Sequence, residues 1–321
     1  MLGLYFLGTS SGVPTKERNV SGIAVKLPEP KSWVLVDCGE GTQHQILSSP
    51  LSLLSLKAIC ITHVHGDHCY GLPGLLASAG MSGRKDALLV IAPKEVEQMF
   101  IAVKEATDLH LPYDVEFIET NSKNSNTIDG VKITAIELSH RVPSHAFCFD
   151  ASSSKRILKK DKLIAKGVKP GPMWGEIQKG NDIKLDDGST LNASDYLESE
   201  LSEERIIIAG DNDNPNLLSD AIQNANVLVH ESTYTNELLE KVGPGPQHSS
   251  ALKVAEFAER SRVKNLVLTH FSARYHSKND GSKNSIEEIK IEAEQTFTGN
   301  LFLAKDHDEF VLLDDGILDL S

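Results

Sequence analysis

Apolar runs that end on metal-binding side chains constrain this chain more than any other feature of its sequence. Five runs with the composition of buried strands are each followed directly by a histidine or an aspartate, namely His63, His140, Asp211, His230 and His270. The ends of strands meet at one edge of a sheet, and the loops at that edge carry functional groups. The pattern therefore predicts an α/β fold with a metal site at the edge of its sheets.

The first apolar run opens into the loop HVHGDH, residues 63–68, which offers four candidate ligands within six residues. His63 and His65 alternate along this loop, so both rings can face one ion. Asp67 and His68 are neighbours just past Gly66, where we expect a helix to begin, and they can face a second ion. Gly66 permits the backbone turn between the two pairs. Imidazole nitrogens combined with carboxylate oxygens suit zinc, and manganese or iron are alternatives.

A site for two metal ions needs more ligands than this loop supplies. His140, Asp211 and His270 share its placement after an apolar run and are the further candidates. A lone histidine in such a position is more often a packed or surface residue, but the repeated placement favours ligands. Asp211 is the candidate bridge, because a carboxylate can share its two oxygens between two cations. Two metal ions roughly 3.5–4 Å apart activate water for displacement at phosphorus, so the sequence predicts a hydrolase.

The composition is that of a globular chain with an acidic balance. Asp and Glu number 45 against 32 Lys and Arg, for a formal net charge of −13 at pH 7, which taken alone argues against nucleic acid as a partner. No apolar stretch approaches the roughly 18 residues of a membrane span, and the N-terminus resembles a first strand more than an export signal. The four cysteines are scattered, which predicts reduced thiols in a cytoplasmic protein without a membrane segment.

Strand-like and helix-like patterns alternate over residues 1–150 and again from Arg205 onward. Residues 151 to about 204 interrupt this alternation, with few periodic apolar positions, a basic block at 155–169 and an acidic stretch after it. A segment of this length without regular structure is normally functional or disordered, so we expect an excursion from the body of the fold. Charge alone leaves two alternatives for the basic block, a solvated surface or a site for an anionic partner.

The ligand pattern resembles the metallo-β-lactamase superfamily, whose fold is a four-layer αββα sandwich with a dinuclear metal site at its edge. Five further segments resemble the ribonuclease Z family of tRNA 3′-processing endonucleases. In chain order they are residues 14–19 (PTKERN), 37–43 (DCGEGTQ), 167–172 (GVKPGP), 230–233 (HEST) and 248–250 (HSS). The resemblance covers nearly the whole chain and indicates the short form of the family. It implies one metallo-β-lactamase-fold domain over residues 1–321, with a flexible tRNA-binding arm inserted at 152–204.

The resemblance also implies a role for each candidate residue. His63, His65 and His140 hold one zinc ion, while Asp67, His68 and His270 hold a second, with Asp211 as the bridge. Asp67 also orients or deprotonates the attacking water. His248 protonates the departing 3′ oxygen, because a ribose alkoxide is a poor leaving group, and Glu231 fixes the tautomer and position of His248. Manganese is the alternative metal.

Contacts with the RNA are implied for residues near the scissile bond and along the arm. They are Arg18, Arg274, Lys155, Arg156, Lys159, Lys160, Gly167, Lys169 and Gly171. The resemblance thus favours the anionic-partner interpretation of the basic block, with precursor tRNA bound by shape and charge. Members of the short form are commonly homodimers in which the arm of one subunit serves the active site of the other.

The expected reaction is zinc-dependent removal of the 3′ trailer from precursor tRNA, which leaves a 3′-hydroxyl on the tRNA and a 5′-phosphate on the trailer. The first alternative is a small-molecule phosphodiesterase or arylsulfatase of the same superfamily. The second is a catalytically silent RNA-binding or scaffold subunit, against which the full ligand set argues. Two positions depart from the family pattern, since Asn212 and Ser250 stand where threonine is common. We expect either departure to alter hydrogen bonds around the ligands.

Overall fold

A computed structural model describes residues 1–120, 125–185, 188–276 and 284–321, without the side chains of 153–155 and 200–201. Within these ranges the chain divides into two compact units. The body consists of Met1–Ala151 together with Glu204–Ser321, and the inserted unit consists of Ser152–Glu203. No helix in the described part of the chain is both long and apolar enough to cross a membrane.

Strands account for much of the described chain. In chain order they are β1 (Gly3–Gly8), β2 (Ser10–Ser11), β3 (Gly22–Lys26), β4 (Trp33–Val36), β5 (Leu56–Cys60), β6 (Leu88–Ala92), β7 (Val115–Glu119), β8 (Ser125–Ile128), β9 (Val131–Leu138), β10 (Ser144–Leu158), β11 (Ile183–Lys184), β12 (Thr190–Leu191), β13 (Leu197–Ala209), β14 (Val227–Glu231), β15 (Asn265–Thr269), β16 (Phe271–Ser272), β17 (Asn300–Leu303), β18 (Glu309–Leu312) and β19 (Leu318–Leu320). The boundaries of both units fall within β10 and β13.

The helices are mostly short. They are α1 (Thr42–Leu47), α2 (Gly66–Cys69), α3 (Leu72–Met81), α4 (Lys94–Ala106), α5 (Lys160–Ala165), α6 (Pro172–Lys179), α7 (Asn236–Val242), α8 (Ala251–Ser261) and α9 (Ile286–Glu294), with 3₁₀ turns at Leu53–Ser55, Ala193–Tyr196 and Pro215–Leu218. The expected helix after Gly66 is therefore present as α2. Pro73 lies in the first turn of α3 and Pro93 directly precedes α4, where the missing N–H of proline costs nothing.

Two large sheets form the body. The first has the order β19-β18-β1-β3-β4-β5-β6-β7, and the second has the order β17-β15-β14-β13-β10-β9-β8. Strands β4 to β7 are parallel to one another in the first sheet. In the second sheet β13, β14, β15 and β17 are parallel. Each parallel set directs the C-terminal ends of its strands to one edge of its sheet, as the sequence pattern requires.

Side-chain alternation along the strands separates three apolar layers. Leu4 and Phe6 of β1 belong to a core that also contains Ile206 and Val227 of the second sheet, so this core lies between the two sheets. The intervening Tyr5 and Leu7 pack with residues of α3 and α4 on the outer face of the first sheet. The outer face of the second sheet packs against α8 and α9. The layers run helix, sheet, sheet, helix, and the expected four-layer αββα sandwich is confirmed.

The inserted unit has structure of its own. Helices α5 and α6 and the hairpin of β11 and β12 enclose a small core of Leu163, Val168, Ile177, Leu191 and Ala193. Each of these side chains is at most 3 % exposed. Residues 167–171 lie in the turn between the two helices and Pro172 begins α6; Gly167 has a φ of 82° that favours glycine. The expectation of a segment without regular structure is wrong. These helices bury apolar residues, but each helix has too few turns for the period of those residues to be recognised in the sequence.

Candidate metal centre

Seven side chains distant in sequence meet at the edge where the parallel strands end. They are His63, His65, Asp67, His68, His140, Asp211 and His270, hereafter the metal centre. His63 follows β5, Asp211 follows β13, and His270 follows β15 with a left-handed φ of 58°. A positive φ is uncommon for a residue with a Cβ atom and indicates a backbone conformation held by its surroundings. Here that residue is itself a candidate ligand.

One group of donors combines His63, His65, His140 and Asp211, with one ligand atom from each within 4.8 Å of the others. Nδ1 of His65 lies 3.1 Å from Nε2 of His63 and 3.2 Å from Nε2 of His140. Oδ2 of Asp211 lies 3.6 Å from Nε2 of His63 and 3.7 Å from Nε2 of His140. The three rings therefore direct a nitrogen each, together with one carboxylate oxygen, toward a common point.

A second group combines Asp67, His68 and His270. Nε2 of His270 lies 3.3 Å from Nε2 of His68 and 3.3 Å from Oδ2 of Asp67. Oδ1 of Asp211 lies 3.5 Å from Nε2 of His68 and 3.4 Å from Nε2 of His270. Asp211 thus directs one oxygen toward each group, which is the arrangement of a shared ligand.

The donor atoms of the metal centre fit cations. Oδ1 of Asp211 is buried and has no hydrogen-bond partner within the described ranges, although a buried carboxylate oxygen left unpaired is costly. Burial raises the pKa of Asp211, but attraction from the His270 and His68 rings brings that pKa below its ordinary range. Burial, and then the charge of His68, lower the pKa of His63 well below its usual value. A neutral imidazole beside a carboxylate is the pairing that metal ions take. The chain therefore has a metal site.

Hydrogen bonds behind the rings orient their free nitrogens. Nδ1 of His63 contacts Oγ1 of Thr62 at 2.9 Å, and Nδ1 of His140 donates to the carbonyl of Gln247 at 2.9 Å. Nδ1 of His270 lies 3.1 Å from Oγ1 of Thr233. Partners of this kind fix the tautomer of a metal-binding histidine and leave Nε2 for the metal.

Asp37 is a functional residue that the sequence analysis did not single out for the site. Its Oδ2 accepts a hydrogen bond from Nδ1 of His68 at 2.7 Å, and its Oδ1 accepts one from the backbone N–H of Thr62 at 2.8 Å. The residue is 3 % exposed and has a left-handed φ of 61°. Asp37 directly follows β4, so its placement after an apolar run is the same signal that identified the ligands.

His248 and Glu231 form a pair beside the metal centre. Nδ1 of His248 lies 3.1 Å from Oε1 of Glu231 and 3.8 Å from Oδ2 of Asp211. Burial lowers the pKa of His248, but attraction from the Glu231 carboxylate and the hydrogen bond to it raise that pKa to about 9. The ring beside the metal centre can therefore hold a proton on each nitrogen, with Nδ1 directed at Glu231.

Glu231 is itself held by several donors. Its Oε2 accepts from the backbone N–H of Thr233 at 3.0 Å and from Oγ1 of the same residue at 2.6 Å. Its Oε1 accepts from the backbone N–H of Ser249 at 2.9 Å. These donors lie on segments next to the site, so they hold the Glu231 carboxylate in a fixed position. The carboxylate in turn fixes the direction in which His248 presents its ring.

Asn212, one departure from the family pattern, connects three loops of the site. Its Oδ1 accepts from the N–H of Ser139 at 3.3 Å, and its Nδ2 donates to Nε2 of His230 at 3.1 Å. Its carbonyl accepts from Oγ of Ser249 at 2.7 Å. Asn212 and His230 are both fully buried, and Nδ1 of His230 donates to the carbonyl of Glu231 at 2.8 Å. With both ring nitrogens occupied, His230 supports the site without joining the metal centre.

Ser250, the other departure, is the N-cap of α8. Its Oγ accepts a hydrogen bond from the backbone N–H of Lys253 at 3.3 Å and lies 3.3 Å from Oδ1 of Asn236. This is the helix-capping contact that threonine also makes. Serine at this position therefore keeps the start of the helix, three residues after His248, in place.

Arg18 lies in a different environment from the one expected. The side chain is buried, with 7 % exposed, and Nη1 donates to Oγ1 of Thr9 at 2.7 Å and to the carbonyl of Ala304 at 2.7 Å. Burial lowers the pKa of Arg18 from its ordinary value, although the carboxylate of Asp306 opposes this effect. The expectation that Arg18 meets a phosphate is therefore corrected, because its guanidinium connects the loop after β1 to the end of β17.

The other residues expected to bind RNA are mostly exposed. Arg274 is exposed in the loop that follows β16. In the inserted unit the exposed residues are Arg156, Lys160, Gly167, Lys169 and Gly171, while Lys159 is half-buried. The side chain of Lys155 lies outside the described residues. Arg156 donates from Nη1 to the carbonyl of Lys179, so its guanidinium is partly engaged.

Comparison with known proteins assigns the chain to a family. It is 49 % identical over 308 residues to ribonuclease Z of Marinobacter nauticus, which covers 96 % of this chain and 95 % of that relative. The human short-form tRNase Z superposes with a TM-score of 0.65 at 22 % identity, covering 97 % of this chain and 99 % of that one. The metallo-β-lactamase fold protein YhfI of Bacillus subtilis also gives 0.65, at 17 % identity, covering 96 % and 98 %.

A family model described as Anti-Pycsar protein Apyc1 matches residues 2–164. That match ends before Asp211, Glu231, His248 and His270, whereas the Marinobacter nauticus relative covers nearly the whole chain. The first half of the chain is therefore similar to that family. The chain as a whole belongs to the ribonuclease Z family, the metal-dependent endoribonucleases of the metallo-β-lactamase superfamily that process the 3′ end of precursor tRNA.

Proposed function

We propose that this chain removes the 3′ trailer from precursor tRNA by zinc-dependent hydrolysis of one phosphodiester bond, leaving a 3′-hydroxyl on the tRNA and a 5′-phosphate on the trailer. The observation that carries the proposal is that two donor groups, which share Asp211, lie at one sheet edge beside the His248–Glu231 pair. A dinuclear centre alone serves many hydrolyses. A proton donor beside it suits a reaction with a poor leaving group such as a ribose alkoxide.

Two zinc ions are proposed for each subunit. His63, His65 and His140 hold the first, Asp67, His68 and His270 hold the second, and Asp211 is shared. When bound, such ions supply positive charge that lowers the pKa of water and stabilises the charge of an in-line displacement at phosphorus. The donor set of imidazoles and carboxylates favours zinc, and manganese is the alternative.

The side chains around the ions divide the remaining work. Oδ2 of Asp67 accepts a hydrogen bond from the backbone N–H of Gly12 at 2.7 Å, so the carboxylate has a fixed orientation from which to position or deprotonate the attacking water. His248 donates its proton to the departing 3′ oxygen. Glu231 stabilises the imidazolium form before that transfer and holds the ring in place throughout.

The inserted unit is proposed as the tRNA-binding arm of a single metallo-β-lactamase-fold domain. Its exposed Lys160 and Lys169, with Gly167 and Gly171 at the turn between α5 and α6, offer charge and a close backbone approach to phosphates. Arg274 is proposed as a phosphate contact nearer the scissile bond. We further propose a cytoplasmic homodimer in which the arm of one subunit binds the tRNA that the other subunit cleaves.

The test is cleavage of a labelled precursor tRNA by purified protein, with and without a chelator, followed by mapping of both product ends. The proposal predicts one cut near the end of the acceptor stem, a 3′-hydroxyl on the tRNA product, and loss of cleavage with chelator that added zinc restores. Turnover of bis(p-nitrophenyl) phosphate without any cleavage of the RNA would instead favour a small-molecule phosphodiesterase.

A further inference from the structure

A cavity of about 290 Å³ opens directly onto the metal centre. Its walls include His65, Asp67 and Asp211 of that centre and the proposed proton donor His248. The lining also contains Gly12 and Gly66, which shape the ligand loop, and Ser11, Glu40, Tyr70 and Arg141, for which the reaction described above requires no role. A phosphodiester that reaches both Asp211 and His248 has to enter this cavity, so the nucleotides beside it contact these walls.

Tyr70 presents an exposed aromatic ring at this cavity. The side chain directly follows α2 and is 65 % exposed. The ring packs against Gly66, because a Cβ atom on Gly66 would lie 2.1 Å from Cε2 of Tyr70. The backbone of the ligand-bearing loop therefore supports the ring at one side, while much of its surface remains accessible. Supported aromatic rings of this kind are the surfaces on which unpaired bases stack.

Arg141 brings a positive charge to the same cavity. The residue is exposed and directly follows the ligand His140. Within the described ranges its guanidinium has no carboxylate within ion-pair distance, although the chain carries 45 acidic residues. Apart from the histidines it is the basic side chain of this lining, and Glu40 is an acidic residue of the same wall. A guanidinium without a protein partner is suited to pair with phosphate oxygens.

We propose that Tyr70 and Arg141 form a nucleotide subsite beside the scissile bond, in which Tyr70 stacks on the base of an adjacent nucleotide and Arg141 pairs with a neighbouring phosphate. The inference rests on the proposed function, since it assumes that an RNA strand enters the cavity. Stacking on a ring selects no particular base, because every base has an aromatic face. The subsite therefore positions the RNA strand for cleavage without restricting the sequence that is cut.

The stacking half of the proposal is tested by combining protein variants with modified RNA. Tyr70→Phe keeps the aromatic face and Tyr70→Ala removes it. On an unmodified precursor tRNA we expect Tyr70→Phe to stay within twofold of wild type, whereas Tyr70→Ala lowers kcat/KM by about 5- to 150-fold, the range for the loss of one stacked base. Two modified precursors each carry one abasic nucleotide, the first on the 5′ side of the cleavage site and the second on the 3′ side. For one of these two substrates, kcat/KM should be nearly equal for wild type and Tyr70→Ala.

The phosphate half uses the same design with a neutral methylphosphonate at each phosphate flanking the cleavage site. Arg141→Gln should lower kcat/KM on natural RNA at least 5-fold and reduce its salt dependence by about one counterion, and one methylphosphonate should abolish the difference from wild type. Arg260→Gln, an exposed arginine outside the cavity lining, is the matched control and should change neither quantity.

The possible outcomes separate the subsite from the proposed function. Absence of RNA cleavage by the wild-type protein would refute the function. If wild type cleaves the RNA, two results would refute stacking by Tyr70. One is an equal kcat/KM for Tyr70→Ala and Tyr70→Phe on every substrate. The other is a loss of kcat/KM in Tyr70→Ala that persists on both abasic substrates. An effect of Arg141→Gln that persists on both methylphosphonates would refute the phosphate contact. Zinc content and thermal unfolding of each variant identify any loss that arises from the metal centre or the fold.

Discussion

The metal centre and the inserted unit reach their chemistry in opposite ways. In the metal centre every side chain is buried or half-buried, and the rings have defined hydrogen-bond partners, such as the 2.7 Å contact between His68 and Asp37. In the inserted unit the lysines are exposed or half-buried, and their charge is spread over a surface. Reaction at one bond requires fixed geometry, whereas attraction for a polyanion requires only charge in the right region. Single substitutions should therefore have large effects in the first region and small, salt-dependent effects in the second.

The largest expected effect follows removal of the shared ligand. Asp211→Ala takes one oxygen from each donor group, so we expect zinc content to fall well below that of wild type and RNA cleavage to fall about 10³-fold or more. Metal analysis and single-turnover kinetics measure the two quantities. Asp213→Ala, two residues along the same loop, is the matched control and should retain both. Full zinc occupancy in Asp211→Ala would remove this residue from the site.

Loss of the proton donor is expected to be nearly as severe but to spare the metals. His248→Ala should reduce kcat by roughly 10²–10⁴-fold, with unchanged zinc content and tRNA affinity. Asp211 binds zinc in this account, whereas His248 transfers a proton. Equal loss of zinc in His248→Ala and Asp211→Ala would therefore contradict it.

The pH dependence of cleavage distinguishes the two members of the His248–Glu231 pair. The donor acts in its protonated form, and the pKa of His248 is raised to about 9, so kcat should hold below that pH and fall as pH rises through it. Glu231→Gln removes the negative charge that favours the imidazolium. The fall in kcat should therefore move to lower pH in this variant, as measured by a pH profile of single-turnover rates. An unchanged alkaline limb would exclude Glu231 from this role.

Asp37 tests whether groups behind the ligands matter. In Asp37→Asn the amide nitrogen replaces an oxygen that accepts from Nδ1 of His68, while asparagine still tolerates the left-handed φ. We expect zinc affinity to fall about 10- to 100-fold in a chelator competition assay. Asp86→Asn, an exposed position of the same chemistry, should leave zinc affinity unchanged.

The smallest effects are expected in the inserted unit. Charge reversal of the exposed Lys162 and Lys169 to Glu should raise KM for precursor tRNA about 10-fold at low salt and less at high salt, with zinc content unchanged. Reversal of Lys85 and Lys94, also exposed but in the body of the fold, makes the same change in net charge. Equal effects of the two pairs would show that the inserted unit acts only through total charge.

The sequence predicted most of the metal centre because its ligands share one local signal, a polar side chain at the end of an apolar strand. The same signal was available for Asp37, but the hydrogen bond that gives the residue its role depends on how two loops meet. Arg18 was expected to contact RNA because a buried arginine leaves no mark in sequence when its partners are a hydroxyl and a carbonyl from distant segments. Helices α5 and α6 of the inserted unit were too short to show a period.

The central claim is that each of the two donor groups binds one cation and that the two cations share Asp211. Anomalous diffraction at the zinc edge, from crystals of protein loaded with zinc, tests it directly. The account predicts one peak surrounded by His63, His65 and His140 and a second surrounded by Asp67, His68 and His270, each about 2.0–2.2 Å from an oxygen of Asp211. A single peak, or two peaks of which only one contacts Asp211, would contradict it.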